Sequence, residues 1–189
     1  MPAKKVVSKE EITACAVRIL EREGGEKLNA RRVAAEVGCS TQPIYLSFAN
    51  MEELKAAVAL ECKKVFGEYL EREKQTTFFK KFVKAYLRFA AEKPKMFSFL
   101  YLENPFRNDV ADVEFEKRTI KYISDVGGYD REIAERFYYS TWFFVHGIAV
   151  QTANGYGEFD PEYVDTLLDD QFAAMKKYYG ELSNGKHNG

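Results

Sequence analysis

The chain has 189 residues, of which 46% are hydrophobic and 30% are charged, and its formal net charge is −1. This composition indicates a globular protein with room for one ordinary core and a small appended domain. The charge lacks the basic excess typical of nucleic-acid-binding domains, since residues 1–50 carry only eight Lys and Arg against six Asp and Glu. The longest apolar run, Trp142 to Val150, is far shorter than the roughly 20 residues that span a bilayer, so we expect no membrane partner.

The amino terminus and the cysteines show no sign of export or of metal binding. Residues 1–10 contain lysines but neither the apolar stretch nor the cleavage site of a signal peptide, so we expect a cytoplasmic protein. Cys15, Cys39 and Cys62 are far apart, fall at apolar positions of helical patterns and lack the spacing of metal ligands. We therefore expect three buried thiols, no metal ion and no cofactor.

Helical periodicity runs through almost every segment, and no alternating run is long enough to predict a strand. The first helix begins after Ser8, which has Glu11 at the spacing of a capping box. Asn29 caps a second, short helix. Ser40 caps a third, with Pro43 in its first turn, where the missing N–H breaks no helical hydrogen bond. The pattern predicts an all-α chain.

The fourth helix is capped by Asn50, and Glu53 completes a second capping-box pattern. Its apolar stripe is long for a small domain, so we place the domain boundary inside this helix. The predicted division is a head of residues 1–55, a larger helical body of residues 56–182 and a disordered tail of residues 183–189.

Aromatic residues become frequent beyond Gln75, in two helical segments separated by Pro94. Three further helices are predicted: one over residues 108–126, one capped by Asp130, and a last one that is capped by Asp160 and fades at its glycine near residue 180. The whole chain is thus predicted to contain about nine helices.

The second and third helices have the dimensions of a helix-turn-helix, whose later helix enters the major groove of DNA. The segment GCST separates them. Ile44, Tyr45 and Phe48 form an apolar stripe that can pack only one side of the third helix. The other side faces outwards, and its residues are Thr41, Gln42, Leu46 and Ser47. An outward glutamine can pair in bidentate fashion with adenine. A solvated helical hairpin with ordinary polar surface residues is the alternative that spacing and charge leave open.

The stretch LNARRVAAEVGCSTQPIYLSFANMEELKAAV closely resembles the DNA-binding head of the tetracycline-repressor-like (TetR) family. The resemblance covers about residues 11–58. The positions in register are the opening Leu-x-x-Arg-x-Val-Ala, Gly38, Ile44-Tyr45, Phe48, Asn50 and Leu54. It implies a recognition helix over about residues 41–48. Family members often have a lysine after the asparagine that opens the fourth helix, and Met51 stands there in this chain.

Phosphate contacts are also expected from basic residues on both sides of the recognition helix. Leu46 lies at an outward position and either touches a thymine methyl group or packs locally. The complete set of predicted DNA-contacting residues is Arg31, Arg32, Ser40, Thr41, Gln42, Pro43, Tyr45, Leu46, Ser47 and Lys55.

The segment YYSTWFFVHGIAVQTANG is similar to the eighth helix of the family. The resemblance implies that the last two helices pair with their copies about a two-fold axis. The candidate dimer-interface residues are Leu167, Leu168, Phe172 and Met175. The aromatic residues of the body also suggest an apolar effector pocket. Its candidate residues are Tyr86, Phe89, Phe97, Tyr101, Tyr122, Tyr138, Trp142 and His146.

The resemblance implies a homodimeric, ligand-responsive repressor that binds a palindromic double-stranded DNA operator and is released by a small, largely apolar or aromatic effector. The sequence contains no nucleophile elbow, phosphate loop or HExxH motif, so we do not expect an enzyme. A helical protein-interaction adaptor without sequence-specific DNA binding is the alternative function.

Overall fold

The computed structural model describes residues 7–74, 77–103, 110–157 and 160–187. Within these ranges the regular structure comprises nine α-helices and one 3₁₀ turn, and no described residue lies in a strand. The α-helices are α1 (Lys9–Glu23), α2 (Ala30–Val37), α3 (Gln42–Ser47), α4 (Met51–Arg72), α5 (Phe78–Glu92), α6 (Pro94–Tyr101), α7 (Val110–Gly127), α8 (Arg131–Ala153) and α9 (Pro161–His187). The predicted all-α fold is confirmed. None of the helices in the described ranges combines the length and apolar character needed to cross a bilayer.

Local capping determines where several helices begin. The Glu11 N–H donates to the Ser8 hydroxyl at 3.1 Å, and the Ser8 N–H donates to the Glu11 carboxylate at 2.9 Å, which confirms the predicted capping box. The side chains of Asn29 and Asp130 likewise accept N–H groups in the first turns of α2 and α8. These caps satisfy backbone donors that have no partner within the helix.

Two predicted caps differ in the structure. α3 begins after Thr41 rather than after Ser40, and no side chain caps it. Asn50 does cap α4 by accepting the Glu53 N–H at 2.9 Å, but the Glu53 carboxylate accepts the Ala49 N–H at 2.7 Å. The predicted capping box at Asn50 is therefore not reciprocal, because the carboxylate binds the backbone donor one residue earlier.

The chain divides into two compact units, unit 1 (residues 1–107) and unit 2 (residues 108–189). In unit 1, α1 packs against α2, α3, α4 and α6, and α4 packs against α5 and α6. The boundary that the sequence predicts near residue 55 lies inside α4, whose buried side chains run from Leu54 to Tyr69. A division of function at that point stays a prediction.

Unit 2 is built from α7, α8 and α9, and α8 packs against both of the others. The apolar side chains of Phe137 and Val145 on α8 are buried, as are those of Phe172 and Tyr179 on α9. The buried Thr119 on α7 donates its hydroxyl hydrogen to the backbone carbonyl one turn earlier, which satisfies a polar group inside the unit.

The end of α9 differs from the expectation of a disordered tail over residues 183–189. The helix continues through residue 183 to His187, and residues 188–189 lie outside the described part of the chain. Tyr179 and Ser183, one turn apart, are both buried. The small polar residues after residue 182 predict disorder. The helix continues because Ser183 shares a buried face with the preceding turn, and tertiary packing of this kind stabilises a helix more than its composition does.

The three cysteines do not share one environment. Cys15 and Cys62 are buried as expected, but Cys39 is only half-buried, in the turn between α2 and α3. Burial raises the pKa of the Cys62 thiol to about 12. The expectation of a buried thiol is therefore wrong for Cys39, because a short turn on the surface cannot cover both sides of its residues.

Candidate nucleic-acid interface

The short helix α3 has one buried face and one exposed face. Ile44 in α3 is 1% exposed and Phe48, the residue directly after α3, is 2% exposed, whereas Leu46 between them is 79% exposed. At about 100° per residue, Leu46 points about 200° away from Ile44, which is nearly the opposite direction. Tyr45 is 55% exposed, so its ring belongs to the outer surface rather than to the packed stripe in which the sequence placed it.

The turn that joins α2 to α3 is held by its backbone. Gly38 has a φ of 78°, in the left-handed region, where a side chain would be strained. The N–H groups of Gly38 and Cys39 both donate to the carbonyl of Ala34, at 2.9 and 3.0 Å. This arrangement ends α2 at the predicted residue and redirects the chain into α3.

The start of α1, the end of α3 and the start of α4 meet at Lys9. Its Nζ lies 2.7 Å from Glu53 Oε1 and 4.6 Å from the centroid of the Phe48 ring. The hydrogen bond from Lys9, followed by that from the Ala49 N–H, lowers the pKa of the Glu53 carboxyl below its ordinary value. These contacts fix the exposed face of α3 relative to the rest of unit 1.

An ion network of Arg22, Glu23, Arg32 and Glu36 joins the end of α1 to α2. Arg32 Nη2 lies 2.6 Å from Glu23 Oε1 and 2.9 Å from Glu36 Oε2. Arg22 Nη2 lies 2.9 Å from carboxylate oxygens of both acids. The hydrogen bonds from Arg32 and Arg22 lower the pKa of the Glu23 carboxyl to about 2. Arg32, a predicted phosphate contact, therefore has its charge engaged by two carboxylates.

The other predicted DNA contacts lie along the turn, α3 and the adjoining helices. The exposed ones are Arg31, Ser40, Gln42, Tyr45 and Leu46, and the half-buried ones are Thr41, Pro43, Ser47 and Lys55. The Lys55 ammonium lies 3.1 Å from Glu52, one turn earlier on α4. Leu46 does not pack locally, which removes one of the two alternatives for that side chain. The contacts with DNA themselves stay predictions.

Four candidate effector residues lie in an aromatic cluster of unit 1. Tyr86, Phe89 and Phe97 are fully buried, and Tyr101 is half-buried. The ring centroids of Tyr86 and Tyr101 are 4.9 Å apart, and those of Tyr86 and Phe97 are 5.2 Å apart. Phe66 on α4, which the sequence analysis did not name, packs against Phe89 and Tyr101. These rings form a closely packed core, and an effector role stays a prediction.

The other four effector candidates belong to unit 2. Tyr138 is buried, and Tyr122, Trp142 and His146 are half-buried. The rings of Trp142 and His146, one turn apart on α8, are stacked with their centroids 5.4 Å apart. Among the described side chains, no three His, Cys, Asp or Glu residues lie close enough together to hold a metal ion.

A groove in unit 1 has a different character from the predicted apolar pocket. Its volume is about 510 Å³. It is lined by Arg18, Glu21, Arg22, Glu92, Lys93, Pro94, Lys95 and Met96. The ammonium of Lys93 lies 2.7 Å from Glu21, and that of Lys95 donates to the backbone carbonyl of Arg22. None of these residues was predicted as a site residue, because the groove forms only where the end of α1 meets the start of α6.

The candidate dimer residues lie mainly inside unit 2. Leu168 and Phe172 are only 4% and 7% exposed, and Leu167 and Met175 are half-buried. A partner chain would reach the first two only at their edges, since they already pack within the unit. On α8 and α9 the exposed large hydrophobic side chains are Tyr139, Phe143, Tyr163 and Tyr178, and none of these was predicted.

No protein-family model and no curated protein sequence matches the chain. Solved structures do match it along most of its length. A TetR protein from Acinetobacter baumannii AYE, in complex with minocycline, aligns with a TM-score of 0.64 at 14% identity, over 94% of this chain and 98% of that one. A TetR-like transcriptional regulator from Rhodococcus sp. RHA1 aligns with a TM-score of 0.59 at 18% identity, over 96% of each chain.

A third structure, the multidrug binding protein EbrR complexed with imidazole, aligns with a TM-score of 0.58 at 16% identity, over 86% of this chain and 93% of that one. Identities this low establish similarity of fold and leave function to be argued from the site. The chain therefore has the fold of the TetR-family transcriptional regulators.

Proposed function

We propose that this chain is a transcriptional regulator that binds DNA through α3. The observation that carries the proposal is the two-faced packing of α3: Ile44 and Phe48 are buried, and the opposite face is exposed. A helix held in this way by a preceding turn and a packing helix can enter the major groove, where base edges differ in their hydrogen-bonding groups. The fold shared with TetR-family regulators supports the same function.

The active form is proposed to be a two-fold dimer whose subunits meet along α8. Phe143 is 68% exposed, its ring stacks with that of the exposed Tyr139, and no Asp, Glu, Lys or Arg occurs from residue 137 to residue 157. The Tyr139 hydroxyl donates to Glu116 on α7, so a carboxylate borders this face. A stretch of helix without charged side chains of its own and with exposed aromatic rings is typical of a surface that a partner covers.

The glycine at position 147 supports the proposal that the partner covering this face of α8 is a second copy of the chain. A Cβ atom at Gly147 would meet nothing within 4 Å, so packing inside the subunit does not require glycine there. Glycine inside a helix costs about 1 kcal/mol relative to alanine. Phe143 and Gly147 are one turn apart on α8, so an antiparallel pair of α8 helices about a two-fold axis can place each phenylalanine over the glycine of the other subunit.

The dimer implies the form of the operator. Two recognition helices related by a two-fold axis read half-sites about 34 to 36 Å apart, so the operator should be an imperfect palindrome. The alternative, a helical adaptor that binds only proteins, requires no such DNA sequence.

A small apolar or aromatic effector is proposed to release the dimer from DNA. Two proteins of this fold were solved with minocycline and with imidazole, which supports an effector site without identifying its ligand here. Trp142 and His146 are the leading contacts in unit 2, because each has an aromatic ring that can stack on an effector and a ring nitrogen that can form a hydrogen bond, and each is half-buried. The effector must bind more tightly to the conformation that does not fit DNA.

The proposed function is tested by selecting binding sites from a random DNA library with the full chain. We expect an enriched palindrome, and we expect Gln42→Ala to weaken binding by roughly 5- to 150-fold per half-site, the range for loss of one bidentate base contact, with the two losses multiplying on the full palindrome. Tyr156→Ala, which also removes an exposed side chain but lies after α8, is the control and should bind normally. If the wild-type chain enriches no sequence, the proposal fails and the adaptor is favoured.

A further inference from the structure

The exposed leucine of α3, Leu46, cannot bind DNA in the way that its polar neighbours can, because its side chain forms no hydrogen bonds. Leu46 is more exposed than any other large apolar side chain described in residues 7–74 and 77–103. A single exposed leucine is common on protein surfaces and by itself indicates nothing. The position of Leu46 makes its exposure informative, because Leu46 lies at the centre of the face that points away from Ile44 and Phe48.

The same face contains the residue that the sequence predicts to read adenine. Gln42 precedes Leu46 by four residues, so the two side chains differ in direction by about 40° and are separated by about 6 Å along the helix axis. Base pairs in B-DNA are stacked about 3.4 Å apart, so the contacts of these two residues fall within two base-pair steps of each other.

The chemistry of leucine limits what it can recognise in the major groove. A leucine side chain has no donor or acceptor, so it leaves the polar edges of guanine, cytosine and adenine without a partner. The C5-methyl group of thymine is the one apolar group that the four unmodified bases present there. Contact between that methyl group and the leucine removes apolar surface of both from water.

We propose that Leu46 is a specificity-determining residue that recognises the C5-methyl group of a thymine in each half-site, within two base pairs of the Gln42 contact. This inference rests on the proposed DNA-binding function. It assigns to Leu46 a preference for one base, whereas contacts with phosphate carry no sequence information.

The test replaces thymines by deoxyuridines, which lack only the C5-methyl group, at symmetric positions of the selected palindrome. We expect the full-length wild-type chain to lose affinity at one position, by about fourfold per half-site for the methyl group and about 15-fold when both half-sites are changed. The Leu46→Ala variant should bind more weakly to the thymine site and show no further loss with deoxyuridine at that position.

A matched control is Leu60→Ala, which removes an exposed leucine from α4 and should retain the full sensitivity to deoxyuridine. Thermal unfolding of both variants establishes that they remain folded. Wild-type affinity that is unchanged by deoxyuridine at every position would overturn the inference and leave the proposed function intact. The same follows if Leu46→Ala keeps the wild-type sensitivity. Failure to select any palindrome would overturn both.

Discussion

Ile44 and Leu46 show how differently two neighbouring apolar residues of α3 are used. The first is buried against unit 1, and the second faces solvent. Removal of a buried side chain loses its transfer free energy and leaves a cavity, whereas removal of an exposed one does neither. Their alanine variants should therefore affect different properties of the protein.

Ile44→Ala is expected to lower the free energy of unfolding by about 2–5 kcal/mol. Leu46→Ala is expected to change it by less than about 0.5 kcal/mol, because surface substitutions seldom do more. Urea denaturation, followed by circular dichroism, measures both values. Equal losses in the two variants would contradict the orientation of α3 described above.

Glu23 leads to a prediction about acid stability. The hydrogen bonds from Arg32 and Arg22 lower its pKa from the ordinary value of 4.5 to about 2 in the folded protein. The ionised carboxylate therefore stabilises the folded state above about pH 4.5, and this contribution disappears as the pH falls through about 2. In Glu23→Gln, the thermal midpoint should depend less on pH within this window than in the wild type.

Thermal unfolding from neutral pH down to about pH 2 provides that comparison. Glu68→Gln is a suitable control, because the exposed Glu68 carboxylate lies 3.4 Å from Arg72 on α4 and is not part of the network. Identical pH profiles for Glu23→Gln and the wild type would show that the network does not lower the pKa of Glu23.

At the scale of the element, α2 carries two adjacent arginines with different surroundings. Arg32 is bound by Glu23 and Glu36 and joins α2 to α1, whereas Arg31 is exposed. We expect Arg32→Ala to lower the thermal midpoint of unfolding, because it removes the connection between the two helices. Arg31→Ala should leave that midpoint unchanged and weaken DNA binding to all sequences alike.

Salt titration separates these two effects. Loss of one phosphate contact reduces the slope of log affinity against log salt concentration by about 1, so Arg31→Ala should reduce it by about 2 in the dimer, one contact for each subunit. A reduced slope for Arg32→Ala, with no change in stability, would instead assign the phosphate contact to Arg32.

The outward face of α8 leads to a prediction about the oligomeric state of the whole molecule. Phe143→Glu should convert the dimer to a monomer, because it places a charge in the apolar centre of the proposed interface. The side chain is largely exposed in the subunit, so the variant should remain folded. Sedimentation velocity measures the mass, and binding to the palindrome should fall with it.

Tyr156→Glu introduces the same charge at another exposed aromatic position, beyond the end of α8, and should remain a dimer. A Phe143→Glu variant that stays dimeric would exclude α8 as the centre of the interface. Dissociation of both variants would indicate a nonspecific effect of charge.

Most features that depend on residues close in the chain were predicted correctly, although the cap at Ser40 and the reciprocal capping box at Asn50 were not. Ser8 and Glu11 form the expected capping box, Asn29 caps α2, and Gly38 ends it with a positive φ. The helical period also predicted which residues of α3 are buried, apart from Tyr45. Such features can be read from the sequence because the hydrogen bonds and steric limits that cause them span only a few residues.

The all-α fold, the pair of short helices joined at Gly38 and the outward position of Leu46 thus follow from helical period and capping residues alone. The packing of the folded chain was needed to show that Arg32 binds Glu23 and Glu36, that Leu168 and Phe172 are internal, and that Phe143 points outwards. Periodicity defines an apolar stripe but not the surface that covers it. Which stripe packs within the subunit depends on the other helices, and these lie far away in the chain.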